Sequence, residues 1–249
     1  MIFEPIRTRR LAVKLTELTL GDAIDLCKLP AERHERATTE LLRRIAAEAK
    51  KPSEAHVTDP LLWTVEERAM VMCMYLAQVS PDGPDFGVGE TARLSNYIDL
   101  TRDLAIDSVS LGPVAKAERV MRPLLGIHAQ TLELICTTRG EWVLGAIACQ
   151  MFKADEAPPD WLALSDIALR EWIEARMAML RKSPESWVAE VLLAWERGAG
   201  ELAHFFSIGF DKEGVLFHAK QEGGEEAVLP PARFRPLSCV SDEARFLSE

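Results

Sequence analysis

The chain has 249 residues, enough for one large domain or two smaller ones, and 48% of them are hydrophobic, which permits a sizeable core. The formal net charge of −10 disfavours a nucleic-acid partner and suits a protein that must stay soluble before it assembles. The most apolar runs, 69–79 and 142–152, have about half the length that a bilayer requires, so no membrane span is predicted.

Residue types that carry chemistry are present, but their spacing matches no known motif. The five cysteines are widely spaced without a C-x-x-C pair, which argues against a zinc site and indicates a reducing compartment. Histidines lack partners at metal-binding helical spacing, and the glycines of 83–89 lack the Gly-Lys-Ser/Thr ending of a phosphate loop. We therefore predict no enzymatic activity, no catalytic residue, no metal and no cofactor.

The first element is a strand. Residues 11–16 alternate, with Leu11, Val13 and Leu15 on one side, which is the period of a half-buried strand. Because an isolated strand is not stable, we expect it to pair with another, and an edge strand of this kind can complete a neighbour's sheet. On this interpretation, deletion of residues 1–17 leaves the helical content largely intact and abolishes assembly.

Helical periodicity accounts for most of the remaining chain. Predicted N-caps are Thr19, Thr64 and Ser165, with Thr64 and Glu67 forming a capping-box pattern. A helix begins after Thr64, and the other predicted helices cover about 20–29, 30–49, 128–138, 141–152, 165–180 and 183–202.

Three connecting regions separate these helices. Segment 80–91 is the strongest cluster of breakers, and such a loop is a candidate contact point. Residues 92–114 are ambiguous, with short extended candidates at 97–100 and 108–111. Residues 153–160 have the composition of a linker or a long surface loop.

The C-terminal region alternates again. Phe206, Ile208 and Phe210 are followed by Asp211–Gly214 and by a second alternating run, which predicts a β-hairpin. The predicted fold class is mainly α: a helical bundle with a short N-terminal strand and a C-terminal β-hairpin. We predict two domains: 1–152, helical with its leading strand, and 153–249, a helical hairpin followed by the β-hairpin and a tail.

The candidate partner-binding residues lie on the N-terminal strand, in or next to loops, and in the C-terminal tail. Three of the six tryptophans fall on or beside apolar helical stripes, whereas Trp63 and Trp161 lie next to loops and are better placed as interface anchors. The complete predicted set is Leu11, Val13, Leu15, Trp63, Phe86, Trp161 and Phe234.

Two stretches resemble known proteins. The segment LAVKLTELTLGDAIDL at 11–26 resembles the opening of phage tail proteins such as baseplate hub components and tail assembly chaperones, in which a short strand leads into a helix. The segment DPLLWTVEER at 59–68 is similar to the same group. The resemblance covers about a third of the chain and includes no catalytic or ligand residue, so it is an argument from analogy.

The resemblance implies a non-enzymatic structural component of a bacteriophage tail or baseplate, in the hub region. Its partners would be other tail or baseplate proteins, with several copies per assembly, and it would assemble in the host cytoplasm into the virion tail. Three alternatives stay open: a tail assembly chaperone absent from the mature particle, an unrecognised bacterial cytoplasmic enzyme, and a helical adaptor.

Overall fold

The computed structural model describes residues 3–104, 106–220 and 229–248. Within these residues the chain forms eight α-helices and ten strands in four small sheets, and it is 45% helical and 17% strand. The helices are α1 (Leu20–Cys27), α2 (His34–Ile45), α3 (Val65–Val79), α4 (Gly126–Ile135), α5 (Arg139–Gln150), α6 (Asp166–Arg181), α7 (Glu185–Leu202) and α8 (Asp242–Phe246). The strands are β1 (Ile6–Arg7), β2 (Ala12–Lys14), β3 (Glu48–Ala49), β4 (Gly87–Val88), β5 (Ala92–Arg93), β6 (Val109–Val114), β7 (Ala117–Met121), β8 (Met151–Lys153), β9 (Ser207–Asp211) and β10 (Gly214–His218).

The predicted fold class, a mainly helical bundle with one N-terminal strand and a C-terminal hairpin, is wrong. Strands are spread along the described chain, so it is a mixed α and β protein. Four of them, β1, β3, β4 and β5, have two residues each, too few to show an alternating period. Strand β6 contains Gly112 and Pro113, and this residue pair in a sequence usually indicates the end of a strand. It overlaps the extended candidate at 108–111, whereas 97–100 forms no strand.

The predicted helix starts at Thr19, Thr64 and Ser165 are confirmed by their caps, whereas the helix predicted from residue 30 begins at His34. The Thr19 hydroxyl accepts a hydrogen bond from the Asp22 amide at 3.1 Å, and the Thr64 hydroxyl accepts one from the Glu67 amide at 3.1 Å. Both are full capping boxes. Ser165 accepts from the Ala168 amide at 3.2 Å. Each cap satisfies an amide that the first helical turn leaves without a partner, and this explains why short local patterns located three helices well.

The chain divides into two compact units. Unit 1 comprises the described residues of Met1–Ala105, His204–Gly209 and Val215–Glu249, and unit 2 those of Ile106–Ala203 and Phe210–Gly214. The predicted division after residue 152 lies inside unit 2. The division into compact units does not test the predicted domains, and they stay a prediction.

Unit 1 is built around a three-stranded antiparallel sheet with β2 in the middle. Val13 lies opposite Ile6 of β1 and Ala49 of β3. The side chains of Leu11, Val13 and Leu15 are buried, so the alternation inferred from the sequence has the correct phase. The same pairing fills both edges of β2, so this strand has no free edge with which to extend another protein's sheet.

Unit 2 combines a second antiparallel sheet, in the order β6-β7-β8, with helices α4 to α7. Helix α7 packs on β6, and α5 packs on α6. The residues of its core cluster come from the sheet and from α5 and α7; they are Leu111, Val114, Met121, Ile147, Met151, Val191, Ala194 and Leu202. Strand β8 follows α5 without a loop, which is why the apolar run up to Phe152 was assigned to a helix.

Candidate functional site

Most of the predicted partner-binding residues lie in the interior of unit 1. Besides the three strand residues, Trp63 is completely buried and donates its indole N–H to the Val57 carbonyl at 2.9 Å. Phe86 is also buried. In this conformation these five side chains stabilise the unit itself and are not on its surface. Whether any of them contacts a partner is not tested, so the partner-binding assignment stays a prediction.

The other two candidates are partly buried in aromatic clusters. In unit 1, the Phe234 ring lies 5.5 Å from the Phe206 ring and 5.3 Å from the Phe217 ring, centroid to centroid. In unit 2, the Trp161 ring packs edge-to-face against His128 at 4.4 Å and against Trp172 at 5.1 Å. Aromatic pairs at these distances are favourable, so both residues hold their own units together.

A buried polar network connects the N-terminal segment of unit 1 to α3. The Arg10 guanidinium forms an ion pair with Glu67 at 2.9 Å, and both side chains are nearly inaccessible. The Glu67 carboxylate also accepts from the Thr64 amide at 2.8 Å, and His204 Nε2 lies 3.2 Å from the Thr64 hydroxyl. Burial opposes ionisation of Glu67, but the hydrogen bond with His204 and the charge of Arg10 outweigh it and lower its pKa.

The adjacent carboxyl, Glu66, behaves differently. Burial raises the pKa of Glu66, opposed by His204. Its Oε2 atom is buried and has no hydrogen-bond partner within the described parts of the chain. Both glutamates lie in the first turn of α3, where the helix dipole favours acidic residues. No short-range pattern could reveal their burial or their partners, because Arg10 and His204 are far from α3 in sequence.

Unit 2 contains a partly open cavity of about 540 Å³. It is formed by strands β7 and β8 and helices α5, α6 and α7, and its lining mixes apolar side chains with charged ones. Ile147, Met151 and Val191 of the core cluster form part of it, together with Leu180. Ligand sites are typically cavities of this size with a few polar groups on an apolar lining.

One of the charged groups of the cavity, Arg176, already has its partners. It donates from Nε to the Ala148 carbonyl at 2.7 Å, from Nη1 to Glu156 at 2.5 Å and from Nη2 to the Met151 carbonyl. Its guanidinium also stacks near the rings of Phe152 and Trp172, at 4.8 and 4.6 Å from their centroids. Arg176 therefore donates hydrogen bonds to carbonyls at the C-terminal end of α5, and it holds the wall of the cavity in place.

Two other cations of the lining, Arg119 and Lys153, lie directly opposite each other on β7 and β8. The Arg119 Nε atom is buried and has no hydrogen-bond partner in the part of the chain that the structure describes. Neither residue belongs to the set of site residues predicted from the sequence. Since 34 positions separate them, only the pairing of β7 with β8 brings them together.

Burial is the shared feature of four of the five cysteines, Cys73, Cys136, Cys149 and Cys239. All five cysteines are free thiols, and burial raises the pKa of Cys136 and Cys239 to about 12. Among the described residues, no three His, Cys, Asp or Glu side chains are placed to hold a metal ion. Nor does any described helix have the length and apolar character needed to cross a membrane.

Comparisons with known proteins give no relative. No family model matches the chain, and neither a curated protein nor a solved structure matches it.

Proposed function

We propose that this protein is a non-enzymatic structural component of a bacteriophage tail or baseplate, in the hub region, and that it binds other tail proteins. The tail assignment is supported by the resemblance of residues 11–26 and 59–68 to such proteins. A role in protein binding is supported by a separate feature, the exposure of large apolar side chains.

The observation that carries the binding role is a surface of unit 1 formed by α1 and α8, which pack on each other. Leu20 on α1 is 54% exposed, Phe246 on α8 is 77% exposed, and Leu247, which follows it, is 56% exposed. We call these three residues the α1–α8 surface. Exposed aromatic and aliphatic side chains of this kind lose contact with water when a partner covers them, and aromatic residues dominate binding energy at interfaces.

The proposal is tested in a phage or prophage that encodes the protein. Deletion of the gene should stop the formation of complete tails, and mass spectrometry of purified tails from the intact phage should detect the chain. If tails require the gene but do not contain its product, the protein is the assembly chaperone instead. Normal infectious particles formed without the gene would contradict both roles.

Point variants connect the role to the surface. Phe246→Ser should reduce the amount of protein in purified tails at least tenfold, because it removes the largest exposed apolar side chain of the α1–α8 surface. Leu100→Ser is the control, since Leu100 is an apolar residue of unit 1 that is 56% exposed and belongs to neither helix. Equal incorporation of both variants would contradict the assignment of this surface.

A further inference from the structure

The cavity of unit 2 has an excess of positive charge in a chain whose net charge is −10. Its lining contains three cations, Arg119, Lys153 and Arg176, and two carboxylates, Asp155 and Glu156. Arg176 pairs with Glu156, whose other oxygen accepts from the Lys153 amide at 3.1 Å. This leaves Arg119 and Lys153 facing one carboxylate, that of the exposed Asp155.

The positions of Arg119 and Lys153 bring two positive charges together on one face of the sheet. Residues directly opposite each other on antiparallel strands point to the same face, with Cβ atoms about 5 Å apart, and like charges there repel. No ion pair among the described residues involves either side chain, and Lys153 is exposed to solvent, whereas Arg119 is partly buried. The buried Arg119 Nε atom also lacks an acceptor, and a buried donor without an acceptor is costly. An anion between the two cations would relieve both costs.

The rest of the lining restricts what the anion is attached to. The lining also has an apolar part: Leu180 is partly buried and Met179 is 62% exposed, whereas Ile147 and Val191 are already buried in the core of unit 2. A small inorganic anion would leave this apolar surface in contact with water. A ligand with an aliphatic body would cover it and gain about 25 cal/mol for each Å² of apolar surface removed from water.

We infer that the cavity of unit 2 is a binding site for an amphipathic carboxylate. The carboxylate contacts Arg119 and Lys153, and the aliphatic part lies against Met179 and Leu180. This chemistry occurs in free fatty acids and at the C-terminus of a polypeptide that ends in apolar residues. The inference goes beyond the proposed function and does not depend on it.

Isothermal titration calorimetry of the full chain tests the inference with two pairs of probes. Octanoate represents a free fatty acid, and its neutral control is 1-octanol. N-acetyl-leucyl-leucine represents a polypeptide C-terminus, and its control is the corresponding amide. We expect at least one carboxylate to bind at least tenfold more tightly than its neutral control, and the tighter of the two carboxylates identifies the source.

Variants locate the site. Arg119→Gln and Lys153→Gln should each weaken binding of the carboxylate about tenfold and leave binding of the neutral control nearly unchanged. Lys182→Gln is the matched control, because Lys182 is an exposed cation of unit 2 outside the lining, and it should bind like the original protein. Thermal melting verifies that each variant is folded.

Three results would overturn the inference. They are the absence of carboxylate binding at millimolar concentration, equal affinities for carboxylates and neutral controls, and equal effects of Lys182→Gln and the two cavity variants.

Discussion

At the scale of single residues, burial by itself can keep an ionisable side chain neutral. His128 of unit 2 is the clearest case. Burial lowers its pKa to about 3 from an ordinary value of 6.5. Its Nδ1 atom accepts a long hydrogen bond of 3.4 Å from the Leu125 amide at the start of α4. Its Nε2 atom has no hydrogen-bond partner within the described residues. The folded protein therefore keeps this ring neutral, whereas an unfolded chain would protonate it in mild acid.

This difference predicts a pH dependence. Between pH 6.5 and about 3 the unfolded state binds a proton that the folded state does not, so the His128 contribution to stability is complete above pH 6.5 and is lost as the pH falls. We expect the free energy of unfolding to fall by about 1 kcal/mol per pH unit from this residue. Urea denaturation at several pH values measures it.

His128→Asn keeps an acceptor for the Leu125 amide but cannot titrate, so its unfolding free energy should depend less steeply on pH. The control is His218→Asn, because His218 is exposed on unit 1. That variant should retain the slope of the original protein. An unchanged slope in His128→Asn would show that other groups produce the acid sensitivity.

At the scale of elements, close packing determines where a helix tolerates a side chain. Gly198 lies in α7, where a Cβ atom would be 2.6 Å from Met121 Sδ and 2.7 Å from Leu111 Cδ2. Both neighbours belong to the core cluster of unit 2 and have little room to move. Gly200, two residues later on the same helix, has no atom within 4 Å of that position. The two glycines look alike in the sequence.

The two glycines should respond in opposite directions to the same substitution. Gly198→Ala is expected to lower the free energy of unfolding by about 1–2 kcal/mol, because the clash with Met121 and Leu111 outweighs the gain in helix propensity. Gly200→Ala should raise it by up to about 1 kcal/mol, since only the propensity changes. Chemical denaturation measures both values. Equal effects would mean that α7 does not approach β6 and β7 this closely.

At the scale of the whole molecule, the N-terminal segment is an integral part of unit 1, with Leu11, Val13 and Leu15 buried in its core. Strand β2 is paired on both sides, and the Val57 amide donates to the Arg10 carbonyl at 2.9 Å. The Arg10 side chain neutralises the buried Glu67. Removing one partner of a buried ion pair typically costs several kcal/mol. We therefore expect residues 1–17 to contribute to the stability of unit 1. The sequence-based expectation was instead that their deletion leaves the helical content largely intact.

Deletion of residues 1–17 should lower the melting temperature and remove the protection of α3 amides against hydrogen exchange. A matched pair of point variants separates this effect from mere shortening. Val13→Asn places a polar group in the core and should reproduce part of the loss, whereas Lys14→Asn changes an exposed position of the same strand and should not. If the α3 amides stay protected against hydrogen exchange after the deletion, strand β2 contacts unit 1 without being needed for its stability.

The sequence by itself determined the local features: the capped starts of α1, α3 and α6, the phase of burial along residues 11–15, and the approximate extents of the longer helices. These depend on contacts within a few residues, which a single sequence displays directly. Only the tertiary structure decided that β2 is a middle strand, that Glu67 meets Arg10, and that Arg119 and Lys153 border one cavity. Each of these depends on residues that are distant in the chain, and short strands such as β1, β3 and β8 leave no periodic signal of their partners.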